Sequence, residues 1–186
     1  MGDTKTIRLR KPLSYGKGDA ATTLSEITLR EATAGEYETA EKTAGVYGTS
    51  IALIALLSGV PIDVVDRMYA SQIDEAEEFI ASFGKDSLRT GARSEDEYTL
   101  NLAKPVKITD EESPVNVASL ELCEPTNQQN RKASSAGGPF ATMVAMISLV
   151  AGVPKIAVRA MCARDFLAAA GYFNGFQVRR SPDSDD

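Results

Sequence analysis

The chain contains no histidine. That absence removes Ser-His-Asp and Cys-His catalysis, histidine general bases and most zinc, copper and non-haem iron sites, all of which depend on imidazole. Cysteine is nearly as scarce. Cys123 and Cys162 are the only two and form neither a Cys-x-x-Cys pair nor a regular disulfide spacing, so two reduced thiols in a cytosolic protein are expected. Long apolar runs are also missing. The longest, Ile51 to Leu57, falls far short of the roughly 20 residues that cross a bilayer and is flanked by Gly, Ser and Thr. There is no excess of positive charge. A net charge of −6 and a pI near 4.8 deny the chain the general basic face with which nucleic-acid binders displace phosphate counterions. The opening residues, Met1 to Arg8, mix charges of both signs where a secretory peptide would be apolar, so export is not expected.

What is present is the profile of a soluble globular protein: 186 residues, 43% hydrophobic and 25% charged. Its main feature is an internal repeat. Sliding the chain against itself by 93 positions pairs residues 6–83 with 99–176 without a gap, giving 21 identities in 78 pairs. Lys11-Pro12 meets Lys104-Pro105, Leu29-x-Glu31-x-Thr33 meets Leu122-x-Glu124-x-Thr126, and Gly59-Val60-Pro61 meets Gly152-Val153-Pro154. The expected organisation is therefore a first repeat at 1–84, a polar tether at 85–97, a second repeat at 98–177 and a disordered tail at 178–186.

A signal that occurs twice is less exposed to accident than one that occurs once. Thr6–Arg10 and Leu24–Leu29 alternate apolar and polar residues as half-buried strands do, and predict a hairpin with its tip at Ser14–Asp19, or Thr109–Pro114 in the second copy. Thr33-x-x-Glu36 and Thr126-x-x-Gln129 have capping-box spacing, so a helix begins at each and is expected to stop near Gly45 and Gly138. A helix that is apolar nearly all round follows, from about Gly48 to Ser58 and from Ala141 to Ala151, and must be surrounded by protein or by a partner. Gly-Val-Pro ends it. Short helices are then expected at Pro61–Ala70 and Ser71–Phe83, with counterparts at Pro154–Ala163 and Arg164–Phe176. The fold class is α+β: two tandem copies of a β-hairpin followed by three or four short helices.

Chemistry-bearing candidates are few. Gly16-Lys17-Gly18 and Gly137-Gly138 lack P-loop or dinucleotide spacing, and no cofactor is implied. Asp74, Glu75, Glu77 and Glu78 suggest either a divalent site or a solvated helix face. The second reading is preferred, because the equivalent positions are Leu167, Ala168, Ala170 and Gly171. The charged residues retained in both copies are Lys11 with Lys104 and Glu31 with Glu124, for which a structural role at strand ends, pairing across the hairpin, is expected. Charge differs between the halves: 13 acidic and 8 basic side chains in 1–84, a balance of −5, against 6 and 7 in 98–177, a balance of +1.

The strand ending in Lys-Pro, the segment Leu29-Arg30-Glu31-Ala32-Thr33, the apolar helix and Leu57-Ser58-Gly59-Val60-Pro61 together resemble the tail assembly chaperones of contractile-tailed, Mu-like bacteriophages. Leu122-Cys123-Glu124-Pro125-Thr126 and Val150-Ala151-Gly152-Val153-Pro154 repeat the pattern. The resemblance implies a non-enzymatic protein of the host bacterial cytoplasm that binds the tape-measure protein and other tail components, with self-association open and neither nucleic acid nor membrane as partner. Such a chaperone is absent from the mature virion; the alternative is a structural tail or adaptor protein retained in the particle. Members of the family usually have a single unit and assemble several copies, so duplication is a departure. An enzyme without histidine would need a carboxylate pair or an activated Lys, Ser or Cys in a pocket. Candidate partner-binding residues are Ile51, Ile54, Leu57, Val144, Ile147 and Val150, for which membership of an ordinary core is the competing reading.

Overall fold

In a computed structural model that describes residues 3–18, 21–85, 95–108 and 115–176, each copy is a two-stranded antiparallel hairpin followed by four helices. The first runs β1 (Thr4–Tyr15), β2 (Thr22–Arg30), α1 (Ala34–Thr43), α2 (Thr49–Ser58), α3 (Ile62–Val65) and α4 (Ala70–Ser82). The second runs β3 (Glu97–Ile108), β4 (Val115–Cys123), α5 (Asn127–Ser134), α6 (Pro139–Ala151), α7 (Lys155–Ala160) and α8 (Ala163–Asn174). By contacts the chain divides into Met1–Phe83 and Gly84–Asp186. The α+β class and the tandem repeat are both observed. Most of the tether, the outer part of each hairpin tip and the C-terminal tail lie outside the described residues.

In each unit a hairpin face closes over the helices. Ile7, Ile27 and Leu29 are buried with Ile54, Val64, Val65 and Phe79; Leu100, Leu120 and Leu122 are buried with Ile147, Val158, Phe166 and Phe173. Each such side chain contributes about 1.5–3 kcal/mol relative to exposure. Within the first unit the apolar helix α2 packs against β2 and α1, and α4 against β1; α6 and α8 repeat this with β4, α5 and β3.

The two ladders share one irregularity. Pairing runs from Thr4↔Arg30 to Arg8↔Glu26 and resumes at Leu13↔Leu24; the second copy runs from Glu97↔Cys123 to Asn101↔Ser119 and resumes at Val106↔Val117. Four residues of the first strand, 9–12 or 102–105, therefore face one residue of the second. Proline explains the position, because it has no N–H to give a ladder and is confined to edges and bulges. Each bulge contains the Lys-Pro pair.

A polar side chain from the last helix holds each bulge. In the first unit Gln72 Nε2 donates to the Arg8 carbonyl at 2.7 Å. Its equivalent, Asp165, accepts from the amides of Ala103 at 2.9 Å and Lys104 at 3.2 Å. Both side chains are buried, at 5% and 4% exposure, so the groups left free by the bulge are met by partners that water cannot easily replace. The Cys162 thiol also lies 3.1 Å from Asp165 Oδ2.

Caps place the helices as expected. Thr33 and Thr126 both form complete capping boxes, with Glu36 and Gln129. Gly59 and Gly152 close α2 and α6 in the left-handed conformation, each at φ 68, where a Cβ would add strain.

Several expectations need correction. β1 extends to Tyr15 and β3 to Ile108, so Lys11 and Lys104 sit in mid-strand bulges rather than at strand ends. Glu31 donates its amide to the Asp3 carbonyl, eight residues along β1 from Lys11, and at about 3.3 Å per residue the two charges are too far apart to pair. Helix α5 stops at Ser134; Gly137 takes the positive φ, and Gly138 is the extended N-cap of α6. Pro139, favourable in the first turn, starts that helix two residues before Ala141. Helix α3 has only four residues, and the chain turns at Asp66–Tyr69 before α4.

Candidate partner-binding surface

The apolar helices α2 and α6 present different faces to the core and to solvent. Ile54, Leu57, Val144 and Ile147 are buried, at 0–5% exposure, and Ile51 and Val150 are half-buried. Of the six candidates, then, only Ile51 and Val150 offer area to another molecule. The residues that do emerge are Leu56 and Leu149, exposed by 38% and 36%. They are equivalent positions, 93 apart, and identical.

Sequence reasoning missed this pair because a helix that is apolar all round gives no moment with which to tell its faces apart. Leu56 follows Ile54 by two residues, about 200° around a helix, and Leu149 follows Ile147 in the same way. The available signal was the identity itself, since leucine is kept in both copies on the side away from the buried isoleucine. Beside α2, the loop residues Val46 and Tyr47 are also exposed.

Around α1 the first unit is fixed by charge. Arg30 makes a two-pronged ion pair with Glu36, which also accepts from the Thr33 amide at 2.9 Å. Burial alone would raise the Glu36 carboxyl, but Arg30 and Thr33 together hold it below the usual carboxylate range. Glu38, itself buried, pairs with Lys42 one turn on. The same face of the second unit differs. There Asn127, Asn130, Arg131 and Ser134 line an open groove of about 620 Å³ at the positions equivalent to Ala34, Tyr37, Glu38 and Glu41.

Tyr37 gives the first unit an alkaline limit. Burial, with the negative charge of Glu31, pushes its hydroxyl up to about 12. The folded unit thus holds the proton more tightly than the unfolded chain does, so the stabilisation is complete below pH 10 and is lost as pH rises towards 12. The expected loss is about 3 kcal/mol across that window. Urea unfolding at stepped pH should show it, and Tyr37→Phe should flatten the first unit's part of the decline. Tyr172 is also raised to about 12, by burial and neighbouring acidic groups including Asp96 and Glu124, and acts in the same direction in the second unit.

Asp74, Glu77 and Glu78 are exposed on α4 and Glu75 pairs with Lys5 at 3.0 Å, an arrangement of solvated carboxylates. Among the described residues no group of three or more His, Cys, Asp or Glu is placed to hold a metal ion, and no helix is long and apolar enough to cross a membrane. Both cysteines are free thiols, Cys123 exposed and Cys162 buried.

Residues 6–84 match the family model described as phage tail assembly chaperone proteins, E, or 41 or 14. Over that span the first unit is similar to the phage tail assembly chaperone family. The match spans its hairpin and all four of its helices. The second unit repeats the first unit's ladder, bulge, capping box and left-handed glycine at a constant offset, so the chain is a tandem duplication of one unit. No curated protein and no solved structure matches the chain.

Proposed function

We propose that this protein is a non-enzymatic tail assembly chaperone that binds the tape-measure protein during tail morphogenesis in the host bacterial cytoplasm and is absent from the mature virion. The observation that carries the reading is the match of residues 6–84 to the tail assembly chaperone family. Such work requires no cofactor. It requires a surface that shields apolar helix stripes from aggregation, yet holds them weakly enough for later tail components to displace it.

Leu56 with Ile51, and Leu149 with Val150, supply modest apolar area of that kind on the two apolar helices. Neither pair alone makes a large interface, which suits a partner that must be released. Two units on one chain raise the effective concentration of the second contact once the first has formed. Other tail components are further partners under this reading.

The test is co-purification of the tagged chain from phage-producing cells, with finished particles analysed in parallel. The expected result is recovery of a long, helix-rich tape-measure protein from lysate and absence of the chain from particles. Leu56→Asp combined with Leu149→Asp should lower recovery about tenfold or more, the effect of losing a binding hot spot. Fixed-stoichiometry incorporation into particles would instead establish a structural tail component.

A further inference from the structure

We infer that the β1 bulge of the first unit, with Arg10, Lys11, Arg67 and the exposed ring of Tyr69, is a docking surface for a carboxylate-rich segment of a protein partner. It lies on other elements than Leu56. Its cations stand out in a unit whose balance is −5. Arg10, Lys11, Arg67 and Tyr69 are all exposed, and no ion pair among the described residues reaches any of the three cations. The carboxylates of Asp63 and Asp66, on and just after α3, make no such pair either.

Two of these cations are held in place before any partner arrives. The Arg10 guanidinium lies 5.7 Å from the centroid of the Tyr69 ring. Arg67 Nε donates to the Asp63 carbonyl and a terminal nitrogen donates to the Ser14 carbonyl, both at 3.2 Å. Held arginines lose less rotamer freedom on binding, and the planar guanidinium matches the two oxygens of a carboxylate. Lys11 follows Arg10 within the bulge that Gln72 holds from the core side.

The duplication gives independent support. Lys11-Pro12 and Lys104-Pro105 are identical, exposed in both copies and displayed by the same bulge. In the first unit Gln72 holds the bulge through the strand backbone, and no ion pair among the described residues reaches the Lys11 side chain. In the second unit Ala103, Ala160 and Cys162 replace Arg10, Arg67 and Tyr69, which confines the full surface to the first unit. A short acidic segment fits better than a nucleic acid, whose extended charge would meet the negative remainder of the unit.

The test uses the full chain and a fluorescein-labelled, glutamate-rich peptide of about ten residues, followed by anisotropy at about 50 mM salt, where such contacts are weakly screened. Arg10→Ala with Lys11→Ala should weaken binding about tenfold, as loss of one or two charge-assisted contacts does. Lys107→Ala with Lys155→Ala removes the same charge elsewhere and should leave binding within about twofold. All four positions are exposed, so both variants are expected to fold, as circular dichroism would verify. Absence of peptide binding would overturn the inference, as would equal weakening by the two double variants. Tighter binding of an oligonucleotide of matched charge, lost in the Arg10/Lys11 variant, would also overturn it and assign the surface to nucleic acid.

Discussion

Asp165→Ala should loosen the second unit while leaving the first intact. The substitution removes the acceptor of two backbone amides, those of Ala103 and Lys104, and of the Cys162 thiol, from a side chain that is 4% exposed. A buried donor left without its acceptor costs about 1–3 kcal/mol, and water can reach the exposed Ala103 from outside, so a net loss of about 2–4 kcal/mol is expected. Asp165→Asn keeps an acceptor for one amide and should cost less. Gln72→Ala, which removes a neutral bond to the Arg8 carbonyl, should cost about 1–2 kcal/mol in the first unit. Hydrogen exchange of the full chain is the suitable measurement. Faster exchange across 97–123 with unchanged exchange across 4–30 would match a local latch; an unchanged second hairpin would show that Asp165 does not hold the bulge.

The second large effect separates core from surface on the apolar helices. Ile54→Ala and Ile147→Ala each truncate a side chain that is fully buried and should cost about 3–4 kcal/mol, transfer and cavity contributions together. Leu56→Ala and Leu149→Ala act on side chains more than a third exposed and should cost about 1 kcal/mol or less. Urea unfolding followed by circular dichroism suits a chain without tryptophan. If Leu56→Ala proved as damaging as Ile54→Ala, Leu56 would belong to the core, and the surface proposed for partner binding would be lost. The same contrast guides functional work, because a charge at Ile54, Leu57, Val144 or Ile147 would unfold the unit before it tested any contact.

Much of this architecture was legible because it is written twice. Capping boxes at Thr33 and Thr126 and the Gly-Val-Pro stops are local chemistry, and local chemistry survives in sequence. The bulge was legible too, but was not read. In Leu24-Ser25-Glu26-Ile27 two polar residues stand together where alternation allows one, and Val117-Ala118-Ser119-Leu120 slips at the same place. That slip, opposite Lys-Pro, marks the place where the register shifts.

Other features were hidden for physical reasons. Gly138 stands where Gly45 does, yet Pro139 draws it into starting the next helix, an outcome that depends on a neighbour the first copy lacks. The depth of Ile54 compared with Leu56 depends on how α1 and β2 seat against α2, which no periodicity in an all-apolar helix records. The latch at Gln72 and Asp165 joins residues about sixty apart in the chain and of different charge, so a search for retained side chains passes over it.

The latch holds the backbone of the strand rather than its side chains, and this bears on the exchange of parts between the copies. An unequal crossover at any aligned codon between residues 6 and 83 deletes 93 residues and leaves one hybrid unit. Asp165 from the second copy would then face the amides of Arg10 and Lys11 instead of Ala103 and Lys104, and amide N–H groups are the same in all four. The ladder, bulge and caps also coincide at that offset, so such a recombinant keeps these backbone contacts while mixing core side chains of the two copies. A single-unit chain is one recombination step away from the duplicated form.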